Sequence, residues 1–314
     1  MRMNISKNLQ KAVPSRDHVL IVGRTLGIQI LLFFSIIFAV WGTQKLYTLV
    51  DRVKFPVYQV AVADGMTDED KGIELLSALT HRLETELGST FGLTTNDIIF
   101  NRWLLDNRAY RQFGTYVATR MLFDNYSTNI AKLGANDREN DLLYDARMTR
   151  LSMGPKRWGI LGLPSAEGNY KKALSNAEKY KKDLKAGKAV YNCRTDDLYS
   201  ALNVILGETV LGYAQGLLNN SQDIPFYTLD NRIYEAQGVI YVVRDYVKAL
   251  YDLYPEIAAK NNKQNMDEAM HYMNLICSYD PLYITSWFNS GELIISYLLF
   301  TRNRLADIRD SLRI

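Results

Sequence analysis

Between Arg24 and Lys45 the chain runs for twenty residues, TLGIQILLFFSIIFAVWGTQ, without a charge. At about 1.5 Å per residue, a helix of that length matches the roughly 30 Å hydrocarbon core of a bilayer. The pattern predicts one transmembrane helix over residues 25–44, with Arg24 and Lys45 at its ends and Trp41 and Tyr47 as interfacial anchors. Downstream the pattern changes to apolar residues spaced three and four apart. Ile73, Leu76, Leu79, Leu83 and Leu87 mark one helix, opened by a capping box at Thr67 and Asp70 and closed by Gly88. Further helices are expected over 108–133, 138–150, 166–186, 196–219, 231–260 (broken at Pro255), 265–278 and 282–312. Pro56 and Gly65 make residues 45–66 read as a connector, extended from residue 52. The fold class is all-α: a single N-terminal transmembrane helix, then a multi-helix domain over 67–314.

Charge flanking the apolar run sets its expected orientation. Residues 1–24 carry Arg2, Lys7, Lys11, Arg16 and Arg24 against the single acid Asp17, so this tail is expected to stay in the cytoplasm. A cleaved signal peptide needs small residues just after the apolar run, where Trp41 stands. A buried core helix would be unusually long, and the basic tail opposes reversed topology. The later stretch 281–301 is also apolar, but Thr285, Asn289, Glu292, Ser296, Asn303, Asp307 and Asp310 fall on one helical stripe. That stripe suits a core helix with one wet face. Gly23 and Gly27 form a GxxxG pair, but Arg24 interrupts it at the rim of the span.

Composition narrows the classes. Charged residues make up 23% of the 314 and the net charge is only +3, which suits a globular domain and gives no reason to expect nucleic acid as a partner. The lysines of 166–188 (Lys171, Lys172, Lys179, Lys181, Lys182, Lys185 and Lys188) lie opposite an apolar stripe and read first as a solvated face. Anionic lipid headgroups are the other reading. Cys193 and Cys277 lack metal-site spacing, and whether they pair stays open.

An internal repeat is the most informative pattern. Leu105-Asp106-Asn107-Arg108-Ala109-Tyr110 recurs as Leu229-Asp230-Asn231-Arg232-Ile233-Tyr234, and at the same 124-residue offset Gly114 matches Gly238 and Arg120 matches Arg244. Each copy follows a DIxF segment, at Asp97–Phe100 and Asp223–Phe226. The reading is two pseudo-equivalent helical hairpins, about 69–133 and 196–258. Asp106 or Asn107, and Asp230 or Asn231, are expected to cap the second helix of each. A glycine inside a helix costs about 1 kcal/mol relative to alanine, so Gly114 and Gly238 suggest close backbone approach, with Tyr110 and Tyr234 four residues before them on the same face. All eight residues are expected to serve fold construction.

Familiar chemistry is not encoded in linear form. No HExxH, GxSxG, P-loop or GxGxxG pattern occurs. His81 with Glu84 and Glu268 with His271 give one HxxE and one ExxH, whereas a di-iron bundle needs two ExxH motifs and two further carboxylates. No catalytic residue, cofactor or metal is expected. The tyrosines of 227–254 suit either a partner groove or packing between helices.

Several segments together resemble the bacterial domain-of-unknown-function family 2333. They are Leu105-Asp106-Asn107 with Gln112-Phe113-Gly114, Gly162-Leu163-Pro164-Ser165-Ala166-Glu167 with Tyr170, Tyr234-Glu235-Ala236-Gln237-Gly238, and Ala306-Asp307-Ile308-Arg309-Asp310-Ser311-Leu312. The run Gly-Ile-Leu-Gly-Leu between Trp158 and Pro164 departs from it. The resemblance implies a helical bacterial envelope protein with one anchor, and supplies no activity and no site residues.

The expected function is a non-enzymatic scaffold or assembly subunit, anchored in the bacterial inner membrane and binding other envelope proteins through a periplasmic domain. A second copy of the chain is a further candidate partner. A carrier or sensor for a lipid or other apolar ligand held between helices is the alternative, and a hydrolase with a non-linear site is third.

Overall fold

The computed structural model describes residues 16–54, 56–63, 65–89, 91–96, 105–132, 138–156, 165–258, 262–280, 284 and 291–313. The chain divides into two units, 1–47 and 48–314, treated separately below.

Helix α1 spans Arg16–Lys54. Its stretch Ile21–Thr43 is long and apolar enough to cross a membrane, and none of it is buried within the protein. Leu31 and Phe38 are each 69% exposed, and exposed apolar surface of this kind marks a site of membrane or protein interaction. Within that stretch two threonine hydroxyls donate back to the helix, Thr25 Oγ1 to the Ile21 carbonyl at 2.9 Å and Thr43 Oγ1 to that of Ala39 at 2.8 Å. Internal satisfaction of this kind is what lipid surroundings demand. The helix overruns the expected span of 25–44 at both ends, so the first part of the expected connector is helical. Nothing between Gln44 and Lys54 breaks a helix; Pro56 does, because its ring disfavours the α conformation in the residue before it.

In the second unit, α2 (Asp68–Leu87) opens on the capping box read from the sequence. Thr67 Oγ1 accepts the Asp70 amide at 3.2 Å, and the Asp70 carboxylate accepts the Thr67 amide at 3.2 Å. Leu76, Leu79, Leu83 and Leu87 are buried, and Gly88 ends the helix with its amide on the Glu84 carbonyl. Thr67→Ala is expected to cost about 1 kcal/mol. Hydrogen exchange would register it as faster exchange confined to the first turn of α2.

After α2 come α3 (Asp106–Asn125, closing in a π turn at Tyr126–Ile130), α4 (Asp141–Tyr144, also running into a π turn, Asp145–Arg150) and α5 (Ala166–Lys185). Along α5, Tyr170, Ala173, Ala177, Tyr180 and Leu184 are buried while Lys171, Lys172, Lys179, Lys182 and Lys185 are exposed. The expected helix over 196–219 is two helices, α6 (Thr195–Leu206) and α7 (Leu211–Leu218). Gly207 adopts an extended conformation and turns the chain. This stretch passes a length-and-composition test for a membrane span, but 44% of it is buried and the break leaves neither half long enough.

Helix α8 (Phe226–Leu253) is the centre of the unit: every residue from Ile233 to Val247 is buried. It packs on α2, α3, α7 and α10 (Asn262–Ser278), with the short α9 (Pro255–Ala258) between. Helix α11 (Glu292–Ser311) lies along α10. Its wet stripe is as read from the sequence, with Glu292, Ser296, Asn303, Asp307 and Asp310 exposed and Ile294, Leu298, Leu305 and Ile308 buried. Thr285 and Asn289 lie outside the described residues, as do Asp97–Phe100 of the first DIxF segment.

Buried tyrosines fill much of this core. Tyr126 donates to the Gly72 carbonyl at 2.9 Å, Tyr180 to that of Val190 at 2.9 Å, and the hydroxyls of Tyr191 and Tyr254 bond each other. A side chain at Gly72 would strike the Tyr191 ring. Cys193 and Cys277 are not joined in a disulfide, and burial pushes the Cys193 thiol up to about 12, away from the thiolate form that reacts.

Candidate functional site

The repeated segments meet at a helix crossing. Gly114 on α3 lies against α8, where an added Cβ would fall inside contact distance of the Glu235 carbonyl oxygen and 3.0 Å from the Val239 nitrogen. Gly238 lies against α3, where a Cβ would overlap the Arg111 carbonyl oxygen and sit 2.8 Å from the Thr115 nitrogen. These contacts are reciprocal: Glu235 and Val239 follow Arg111 and Thr115 by the same 124 residues that separate the glycines. Only glycine lets two backbones come this close.

The other matched residues have diverged in role. Asp106 is the first residue of α3, whose N-cap position is Leu105 and lacks a side-chain cap. Its carboxylate instead accepts the Asn107 amide at 2.9 Å. Asp230 accepts the Asn231 amide at 2.8 Å in the same way, yet both lie inside α8, which begins at Phe226 behind Pro225. The expected caps are therefore corrected. The second copy extends its helix by a turn because Pro225 is well suited to a helix start, leaving Asp230 in the interior. Asn107 Oδ1 and Asn231 Oδ1 are both buried without a hydrogen-bond partner. Tyr234 is buried and donates to Asp280 at 2.7 Å, whereas Tyr110 is half-buried and lines a cleft.

That cleft, about 680 Å³, lies beside the crossing between α7 and α8. Helix α7 contributes Gly212, Tyr213 and Gly216; α8 contributes Asn231, Arg232 and Glu235; Glu208 stands at the rim. The Tyr213 hydroxyl donates to Glu235, which is only 7% exposed. Burial raises the Glu235 carboxyl above its usual range, more than the Tyr213 hydrogen bond, Lys156 and Arg232 lower it. Tyr213 also borders a second opening of about 640 Å³, lined by Phe113, Arg120 and Lys156. None of this was legible as a motif, because Glu208, Tyr213 and Glu235 carry no special spacing.

The family model described as an uncharacterized protein conserved in bacteria, domain-of-unknown-function family 2333, matches residues 15–220. The chain belongs to that family. No curated protein matches it, and no solved structure does. In this member of family 2333 the match takes in α1 through α7 and ends before α8. The resembling stretches at Tyr234–Gly238 and Ala306–Leu312 lie beyond it.

Two buried charge clusters brace the helices of this family member around the crossing. Glu86 on α2 meets Arg111 at 3.1 Å and Arg108 at 3.4 Å, and accepts Gln112 Nε2 at 2.9 Å. Burial alone would raise its carboxyl; the Arg111 and Arg108 guanidiniums and the Gln112 bond outweigh that and hold it below the usual carboxylate range. Arg82 meets Asp245 at 2.8 Å, with Arg244 3.6 Å from the same carboxylate and both guanidiniums against the Tyr241 ring. Ion pairs this deep join α2 to α3 and α2 to α8.

The histidine motifs do not converge. His81 lies against Tyr58 with the rings tilted 57° to each other, and burial lowers its pKa; Glu268 is paired with Arg304 at 2.6 Å. Among the described residues no group of three or more potential ligands could hold a metal. Arg24 is exposed and Trp41 half-buried on α1, where Trp41 packs on Phe38 at 5.5 Å; Lys45 and Tyr47 share that helix. Outside the cleft, the described residues include an aromatic ridge on α10 and α11. Tyr272 of α10 stacks on Tyr297 and Phe300 of α11, and Phe300 and Leu293 are about half exposed.

Proposed function

We propose that this protein is a membrane-tethered scaffold: α1 holds the helical unit at the bacterial inner membrane, on the periplasmic side, where it binds another envelope protein. The observation that carries the reading is the apolar stretch Ile21–Thr43, none of which is buried within the protein and whose Thr25 and Thr43 hydroxyls bond back to the helix. The basic residues before it favour a cytoplasmic N-terminus. The ridge of Leu293, Tyr297, Phe300 and Tyr272 supports partner binding, since aromatic side chains bury large area at low entropic cost.

Alkaline carbonate extraction should leave the full chain in the membrane pellet, and a C-terminal reporter active only in the periplasm should report activity. Release into the supernatant refutes the anchor; a silent periplasmic reporter refutes the orientation. A photo-crosslinker at Phe300 should trap one discrete partner in cells, and Phe300→Asp should abolish its co-purification. An unchanged co-purification profile in that variant rules out the ridge as the binding face.

A further inference from the structure

Arg120 and its repeat counterpart Arg244 differ in what compensates them. Arg244 is buried, bonds Asn274 at 3.0 Å and stands 3.6 Å from Asp245, the next residue along α8. At the same 124-residue offset the residue after Arg120 is Met121, which packs against the core, so the first copy keeps the cation without that acid. The carboxylate one turn on, Asp124, is paired with Arg147 at 2.9 Å. Among the described residues Arg120 forms no ion pair, and its Nη1 donates to the Tyr116 hydroxyl at 3.5 Å, a long bond. A guanidinium carries five N–H donors, so most of them take no acceptor from the described residues.

Arg120 lines the opening of about 640 Å³ between α3, Tyr213 of α7 and the segment after the second π turn, a volume in the range of small-molecule sites. Lys156 lines it as well; it is exposed, lies over the Phe113 ring at 5.7 Å and forms no ion pair among the described residues. The described lining holds these two cations and no acid, and Phe113, Val117 and Pro155 make much of the remainder apolar. Glu235, in the adjoining cleft, is the acid that feels Lys156, and its carboxylate already accepts the Tyr213 hydroxyl. Tyr116 is a wall: its ring stacks on Tyr170 at 5.0 Å and its hydroxyl donates to the Leu151 carbonyl at 2.9 Å. An oxyanion entering here gains charge-assisted hydrogen bonds, which a neutral ligand lacks, and a cation is repelled.

We propose that the opening beside Arg120 is a binding site for a small organic anion with a compact apolar body, an aryl carboxylate or aryl phosphate. Arg120 and Lys156 supply its positive charge, and Phe113, Val117 and Pro155 its apolar wall. The site is independent of the scaffold reading, because binding is measured on purified protein whatever its topology.

The test is fluorine NMR titration of the full chain in an uncharged detergent, against a blank of detergent alone. The probes share one ring and differ in charge: para-fluorobenzoate, para-fluorophenyl phosphate, para-fluorobenzyl alcohol and para-fluorobenzylamine. Saturable binding of an anion with a dissociation constant of about 1 mM or tighter is expected, with the alcohol about tenfold weaker and the amine not saturating. The tighter of the two anions then assigns the headgroup. Lys156→Gln should weaken anion binding about threefold, and its exposed position keeps the fold intact. Arg120→Gln should weaken it at least as much, whereas Lys172→Gln, an exposed lysine of α5 outside the opening, should leave it unchanged. Absence of saturable anion binding, equal affinity for the alcohol, unchanged affinity in Lys156→Gln, or an equal loss in Lys172→Gln each overturns the proposal.

Discussion

Gly114→Ala is expected to destabilise the helical unit by about 3 kcal/mol or more, lowering its melting temperature by roughly 10 °C. The methyl group would overlap the Glu235 carbonyl oxygen and press on the Val239 nitrogen, and both are backbone atoms of the central helix. No rotamer change relieves such a clash; α3 and α8 must move apart, which loosens the packing of every buried residue between them. Gly238→Ala should cost a similar amount, because its methyl would meet the Arg111 carbonyl at the same crossing. The double variant should cost clearly less than the sum, since one separation of the helices accommodates both methyls. Gly216→Ala is the control, with a small gain expected from helix propensity alone. Thermal unfolding of the four proteins decides it: a near-neutral Gly114→Ala would mean that the two backbones do not approach as described.

Glu86→Gln is the second large effect. The buried carboxylate lies between two guanidiniums, and its removal deletes the ion pairs it makes with Arg108 and Arg111. Breaking one side of a buried ion pair typically costs about 3–5 kcal/mol. The same group sets an acid limit. Its folded pKa is held below the ordinary value of 4.5, so its contribution is fully present above that value and is lost as pH falls through the lowered folded pKa. Denaturant midpoints followed downward from neutral pH should therefore decline below about pH 4.5 in the native protein. In Glu86→Gln the decline should be shallower, and equal slopes in the two proteins would show that Glu86 contributes no acid dependence.

Local signals were the legible ones. The Thr67–Asp70 capping box needs two side chains three residues apart, and both its hydrogen bonds form. The polar stripe of α11 follows from helical spacing within one segment, and its residues are exposed as the pattern requires. Where one segment allowed two outcomes, local reading erred. Asp230 and Asn231 resemble a helix start as closely as Asp106 and Asn107 do, yet Pro225 starts α8 earlier. The apolar run 196–219 reads as one helix, and the extended backbone at Gly207 makes it two.

The candidate cleft was hidden for a different reason. Tyr213 and Glu235 are ordinary residues on separate helices, and no spacing within one segment links them.

By itself, then, the amino-acid order determined the uncharged α1 span, the helical character of the rest and the matched pair of glycines, because each depends on composition or spacing within a few turns of chain. Tertiary structure alone decided that Gly114 and Gly238 face each other's helices, that Glu86 meets Arg108 and Arg111, and that Glu235 lies in a cleft under Tyr213. Those outcomes join positions tens to more than a hundred residues apart, and only the way amphipathic helices cover one another's apolar faces brings such residues within contact distance.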